Sequence, residues 1–337
     1  MSCARIATSL FALLALASGC EKDKSSSTTT SAAQPTAVTG TTVMPKTETA
    51  PTPVVAPATA KMSKEPVVTF KDVGLETPES VLYEDASDAY IVSNINGRAH
   101  AVDGNGFISR LSPDGKVETL KWIEGGKNKV TLNAPKGLAF AGQMLYVADI
   151  DTVRMFDRKT GAPLGEVKVP GATFLNDIAV TADGNVLVSD TGMKAGAKGF
   201  EPTGTDAVYS IDKAKKLTTV AKSKELGEPN GLYVAGEKIW VVTMGSGELY
   251  ALDAKGTRSD IKRLPKGSLD GIVLLPSGEL LISSWEANAV YRGKPGGDFV
   301  PVIEGVKSPA DIGYDTKRSR VLVPLFESNE VQVYDIK

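Results

Sequence analysis

Four side chains spread along this chain share one chemistry: Glu79, Asn176, Asn230 and Asp270 are carboxylates and amides, the hard oxygen donors that suit a divalent cation. Two carboxylates balance a double charge, two amide oxygens add neutral ligands, and water completes the shell. Each stands at the centre of a short triplet, and triplets around Lys136 and Ala310 complete a set of six: Pro78-Glu79-Ser80, Pro135-Lys136-Gly137, Leu175-Asn176-Asp177, Pro229-Asn230-Gly231, Leu269-Asp270-Gly271 and Pro309-Ala310-Asp311. Their centres advance by 57, 40, 54, 40 and 40 residues. About forty residues per four-stranded unit is the period of a β-propeller.

The rest of each unit agrees. An apolar residue follows every triplet (Val81, Leu138, Ile178, Leu232, Ile272, Ile312), and a β-branched run comes next, as in 90–92, 145–147, 186–188, 239–242, 280–282 and 321–323. Third strands read at 153–156, 208–211, 249–252 and 331–334, and outer strands at 117–122, 165–169, 217–221, 261–264 and 299–303. The sixth unit ends after three strands, so residues 67–70, ahead of the first unit, are expected to supply its fourth and leave no open edge. The expectation is all-β: a six-bladed propeller of four-stranded blades, the last closed by the N-terminal strand.

That geometry would bring the six triplet centres, Glu79, Lys136, Asn176, Asn230, Asp270 and Ala310, to one mouth of the central channel. Asn and Asp are also common turn formers, which would explain Pro-Asn-Gly and Asp-Gly without a ligand, though not Glu79. Lys136 admits three placements: snorkelling outward, bridging Glu79 and Asp270 in place of an ion, or pointing inward off-centre to support an oxyanion. Asn94, Asp149 and Asp190 end second strands and are expected around the same mouth as substrate contacts. The two long units carry insertions at about 95–106 and 191–207, candidate lids or specificity walls, and the first holds the only histidine, His100, either a solvated loop residue or a general base or substrate contact. Tyr146, Trp240, Trp285 and Tyr291 read as packing between blades.

The series Glu79, Asn176-Asp177, Pro229-Asn230-Gly231 and Asp270-Gly271, in that order, resembles the senescence-marker protein and gluconolactonase family of six-bladed propellers, across essentially all of 67–337. The resemblance implies a divalent cation held by Glu79, Asn230 and Asp270 with Asn176 facing metal and substrate, calcium first and Mg²⁺, Mn²⁺ or Zn²⁺ as alternatives. It further implies hydrolysis of a lactone or small ester, with Asp270 helping water to attack. The paraoxonases use a similar arrangement for calcium. Phe174 stands where the sugar lactonases carry arginine, and Ser80 where glycine follows the glutamate. The other reading is a non-catalytic propeller lipoprotein that binds a small ligand or protein partner at this mouth.

Composition narrows the alternatives. With 38 Lys+Arg against 40 Asp+Glu and no basic run, the chain lacks the charge excess that nucleic acid requires. Two cysteines and one histidine exclude thiolate zinc sites and multi-histidine centres. Residues 1–19, with Arg5, an apolar 6–17 and small residues before Cys20, resemble a bacterial lipoprotein signal, implying lipidation at Cys20. Residues 20–64, rich in Ser, Thr, Ala and Pro, read as a disordered tether, leaving 65–337 as the folded part. The expected setting is the cell envelope, the outer membrane favoured, with a lipid anchor as the only membrane contact and a monomeric propeller.

Overall fold

The computed structural model of the chain describes residues 62–197 and 199–336. The expected signal over 1–19, the lipidated Cys20 and the tether up to residue 61 lie outside the described residues. Six four-stranded antiparallel sheets follow one another: blade 1 over 78–124, blade 2 over 135–168, blade 3 over 175–222, blade 4 over 229–263, blade 5 over 269–304 and blade 6 over 313–335. Val68–Phe70 pairs with Glu330–Asp335 and supplies the fourth strand of blade 6, so the ring closes as expected. Met62 already bridges Ile336, and the Ser63 amide donates to the Asp335 carbonyl at 2.8 Å, so the last blade recruits residues ahead of the expected boundary at 65.

Near-continuous apolar runs along the second strands make both faces of a blade hydrophobic, and the propeller buries those faces between neighbours. Six apolar clusters lie one to each seam. Leu138 and Val147 of blade 2 meet Ile91 and Ile108 of blade 1, and Val81 and Tyr90 of blade 1 meet Phe70 and Val333 of blade 6. Tyr146, Trp240 and Tyr291 belong to these seams, as expected.

The triplets are not turns. Five of them open an inner strand, and in blades 1 to 5 the ladder slips there: Pro78 faces Asn94 but Val81 faces Val92, three residues against two, and blades 2 to 5 repeat the pattern. This is a β-bulge, which re-aims a side chain at the end of a strand. The sixth triplet instead lies just ahead of Gly313–Asp315 and joins its neighbours by single bridges. Glycine follows the bulged residue where the neighbouring backbone is close: a Cβ on Gly231 would run into the Asp270 carbonyl, and one on Gly271 into the Ile312 amide. Blades 1 and 6 also hydrogen-bond through their inner strands, Asp311 N to the Glu79 carbonyl at 2.9 Å. Farther along the inner strands the channel widens into a cavity of about 750 Å³ lined by residues of all six, which ends at Ser80, Asp177 and Asp311.

Candidate functional site

Five bulges and the blade 6 segment bring all six triplet centres to one place and bury them: Glu79 is 4% exposed, Lys136 1%, Asn176 4%, Asn230 1%, Asp270 2% and Ala310 0%. Serines on the second strands of alternate blades fix them there. The Ser189 hydroxyl accepts from Asp177 N at 2.9 Å and donates to the Asn230 carbonyl at 2.7 Å, while the Ser283 hydroxyl accepts from Gly271 N and donates to the Ala310 carbonyl. A hydroxyl thus answers the amide that the bulge leaves out of the ladder and ties it to the next blade.

The side chains themselves are under-satisfied. Glu79 Oε2, Asp270 Oδ1 and both polar atoms of Asn230 are buried without a hydrogen-bond partner. Asn176 spends its amide nitrogen on Thr191 Oγ1 at 3.0 Å, and Thr191 is held in turn by the Pro229 carbonyl, so the Asn176 oxygen is the group left to offer a ligand. Trp285 Nε1 donates to Asp270 Oδ2 at 2.7 Å. Trp285 is therefore part of the site, and only secondarily the inter-blade packing that its sequence suggests.

One residue below the ring, Ser80 Oγ donates to Asp311 Oδ2 at 2.5 Å, and Asp177 accepts from Leu232 N and Ile178 N at 2.6 Å each. Four carboxyl groups share this dry axis. Burial pushes Glu79, Asp177 and Asp270 well above the usual carboxylate range, with mutual repulsion adding to it, and pushes Asp311 up to about 7 against the Ser80 hydrogen bond. The amide of Asn230 lies near enough to Asp270 to favour its charged form, yet completes no hydrogen bond.

Of its three expected placements, Lys136 takes neither of the first two. At 1% exposure it does not snorkel outward, and it forms no ion pair with Glu79 or Asp270. Its Nζ donates to the Ala134 carbonyl at 3.1 Å and sits 4.3 Å from the centroid of the Phe174 ring. Burial pulls it down to about 8, opposed by the negative charges of Glu79 and Asp149. It points inward and off-centre, under an aromatic cover.

Asn94, Asp149 and Asp190 end second strands as expected, but the substrate-contact reading gives way to a positioning one. All three are 0% exposed and spend their oxygens on the loop that enters their own blade. Asn94 accepts from Glu76 N, Asp149 from Asn133 N, Ala134 N and Arg154 Nε, and Asp190 from Phe174 N at 2.9 Å. Asp149 and Asp190 thereby hold the segments that carry Lys136 and Phe174 in place from behind. In five blades the residue after the second-strand end roofs the ring: Ile95, Ile150, Thr191, Trp285 and Phe326 occupy this column, a repeat signal visible in the sequence that passes unused when only the triplets are compared.

Both insertions fold over the ring. The second contains a hairpin, Met193–Gly196 with Gly199–Pro202, whose Phe200 meets His100 of the first insertion edge to face at 5.7 Å and Phe174 at 5.3 Å. His100 is partly buried, with Nδ1 unpartnered.

A divalent cation fits the donor set by its chemistry, since two carboxylate oxygens and an amide oxygen from three blades are buried with nothing to answer them. Among the described residues no group of three or more His, Cys, Asp or Glu is placed to hold a metal, so such an ion would rest on two carboxylates and depend on the asparagines for the remainder.

No family model and no curated protein matches this sequence. Solved structures do. A gluconolactonase from Xanthomonas campestris superposes over 78% of this chain and 87% of its own, at 18% identity and a TM-score of 0.60. A luciferin-regenerating enzyme matches over 80% of this chain and 94% of its own, at 16% and 0.58, and virginiamycin B lyase from Staphylococcus aureus over 82% and 99%, at 12% and 0.56. The structural neighbours include gluconolactonase-like six-bladed propellers. At these identities the likeness is one of fold.

Proposed function

We propose that the ring binds a divalent cation, calcium first, through Glu79, Asp270 and the amide oxygens of Asn230 and Asn176, and that the chain hydrolyses a lactone or small ester there. The observation that carries this reading is the set of unanswered buried atoms, Glu79 Oε2, Asp270 Oδ1 and Asn230 Oδ1, because a buried carboxylate without a counter-charge is costly and a cation removes that cost. When bound, such an ion polarises a carbonyl oxygen toward attack. Asp270 is clamped at Oδ2 by Trp285, which fixes its carboxylate in the ring, where it would both hold the ion and help water to attack. Lys136, fixed by Ala134 and Phe174, adds positive charge beside the ring without neutralising Glu79. The resemblance of residues 1–19 to a lipoprotein signal supports an envelope-anchored protein lipidated at Cys20.

The test is thermal unfolding of the chelator-stripped chain titrated with calcium, beside Glu79→Gln and Asp270→Ala. A saturable rise in melting temperature that both variants lose is expected; a wild type indifferent to calcium, magnesium, manganese and zinc refutes the ion site. The sealed ring favours the second reading, a propeller that only binds a ligand or partner at this mouth. A calcium response without turnover on any lactone or ester would select it.

A further inference from the structure

The ring residues are 1 to 4% exposed apart from Ala310, at 0%, so nothing reaches them while the cover stays as it is. That cover is apolar. Ile95, Ala99, Ala134 and Phe174 form its centre, with Ile150, Met193 and Phe326 packed against it. It borders the ring on two sides: Phe174 lies over Lys136 Nζ, and Phe326 lies 5.0 Å from Trp285, whose indole N–H holds Asp270. Among the described residues of the two covering loops, the buried side-chain polar atom left without a partner is His100 Nδ1.

The hairpin of Met193–Gly196 and Gly199–Pro202 is the detachable part of this cover. It pairs only with itself, its second strand is exposed throughout, and Phe200 is 49% exposed while its ring edge seats on His100 and Phe174. Its base is narrow: Gly192 and Gly204, at φ of 70° and 74°, flank it, and Thr203 N donates to the Gly192 carbonyl. Glycines at positive φ are conformations that other residues adopt at a cost, and such positions serve as hinges.

A polyhydroxylated sugar acid entering here would bring several hydroxyls against a roof whose packed inner face is apolar, and each unanswered hydroxyl lowers affinity. An aryl or alkyl body would instead replace the Phe200 contact with its own. We propose that this site takes an ester or lactone with an apolar aryl or alkyl body, admitted when the hairpin lifts Phe200 from Phe174 and retained when Phe200 closes on that body. The reaction class rests on the hydrolase reading; the binding preference does not.

The experiment therefore measures binding with lactams, which resist hydrolysis. The full chain in calcium is titrated with γ-phenyl-γ-butyrolactam and with glucono-1,5-lactam, following quenching of Trp285, with Trp285→Phe as the background. The phenyl lactam should bind at least tenfold more tightly. Phe200→Ala, on an exposed surface, should keep the melting temperature, weaken the phenyl lactam at least fivefold with faster association and dissociation, and leave the sugar lactam unchanged. Equal or inverted affinities, or phenyl-lactam rates indifferent to Phe200→Ala, overturn the proposal. So does the absence of binding by either lactam at millimolar concentration while calcium still raises the melting temperature, which makes the cover a fixed plug. Phenyl-lactam binding without any calcium response removes the hydrolase reading and leaves this one standing.

Discussion

Two groups of carboxylates in this propeller have opposite surroundings. At the seam of blades 1 and 6, Asp88 accepts from both Arg318 guanidinium nitrogens at 2.7 and 2.8 Å, from Lys317 Nζ at 2.7 Å and from the Tyr83 hydroxyl, and these donors hold it well below the usual carboxylate range. Beside it the buried Asp315 takes Arg318 Nη1, the Tyr90 hydroxyl and the amides of Lys317 and Arg318. On the axis, Glu79, Asp177, Asp270 and Asp311 have no ion pair, and burial holds all four above that range. A carboxylate kept for stability carries its cation with it; one that keeps an unanswered oxygen in a dry site is arranged for something that arrives.

The contrast breaks most visibly if the axis can be neutralised without loss. Asp270→Asn keeps the shape and the Trp285 contact but removes the charge and the proton acceptor. Turnover of any accepted ester should fall about 10³-fold, while the melting temperature in chelator stays level or rises. Asp88→Asn should do the reverse, lowering the melting temperature and leaving turnover within about twofold. An Asp270→Asn enzyme with wild-type kcat would take Asp270 out of the chemistry.

The pH dependence has opposite signs in the two regions. Asp311, ordinarily near 4 but raised to about 7, binds its proton more tightly folded than unfolded, so it favours the folded state most below about pH 4 and loses that contribution as pH rises to 7. Asp88, depressed, contributes above its unfolded value and is lost toward strong acid. In chelator, urea midpoints should therefore fall between pH 5 and pH 8, and Asp311→Asn should remove part of that fall, on the order of 2 kcal/mol. Saturating calcium should flatten the same slope. A chelated wild type that is more stable at pH 8 than at pH 5 would mean that the axis carboxyls are not raised.

Lys136 sharpens the comparison because Glu79 feels its positive charge, and it still does not pair with it. Lys136→Met should tighten calcium roughly tenfold by removing repulsion of a dication, measured by the midpoint of the thermal-shift titration. Weaker binding would instead give the ammonium a role in shaping the ring.

How much of this was legible in the sequence divides along physical lines. The blades were, because a period of forty and β-branched runs record local strand geometry, and the strand at 68–70 followed from counting three strands in the last unit. The ring was, because one repeat column bears Glu79, Asn176, Asn230 and Asp270. The triplets looked like turns since Pro-Asn-Gly has turn propensity, and tertiary pairing made them bulges instead. Lys136 was not legible: its direction is set by Phe174, which belongs to the next blade and is held by Asp190 of that blade. Nor was Asp311, which matters because Ser80 reaches it across the closure of the ring. Contacts between segments far apart in sequence leave no mark in either segment alone.

The smallest effect belongs to the best-paired group. Arg318→Ala removes the bidentate partner of Asp88 and one of four donors to Asp315, yet Lys317 Nζ remains on Asp88, and the backbone amides and Tyr90 remain on Asp315. Arg318 is also 26% exposed, so water and salt already share its charge. A loss of about 1 kcal/mol is expected, shrinking in high salt as the pair is screened, with calcium affinity unchanged. That small cost beside a well-ordered guanidinium is what separates redundancy from need: the seam can lose a cation because it holds several, whereas the axis gains stability from the first one it is given. An Arg318→Ala chain that loses its calcium response would erase that separation and tie the seam to the ring through the inner strands of blades 1 and 6.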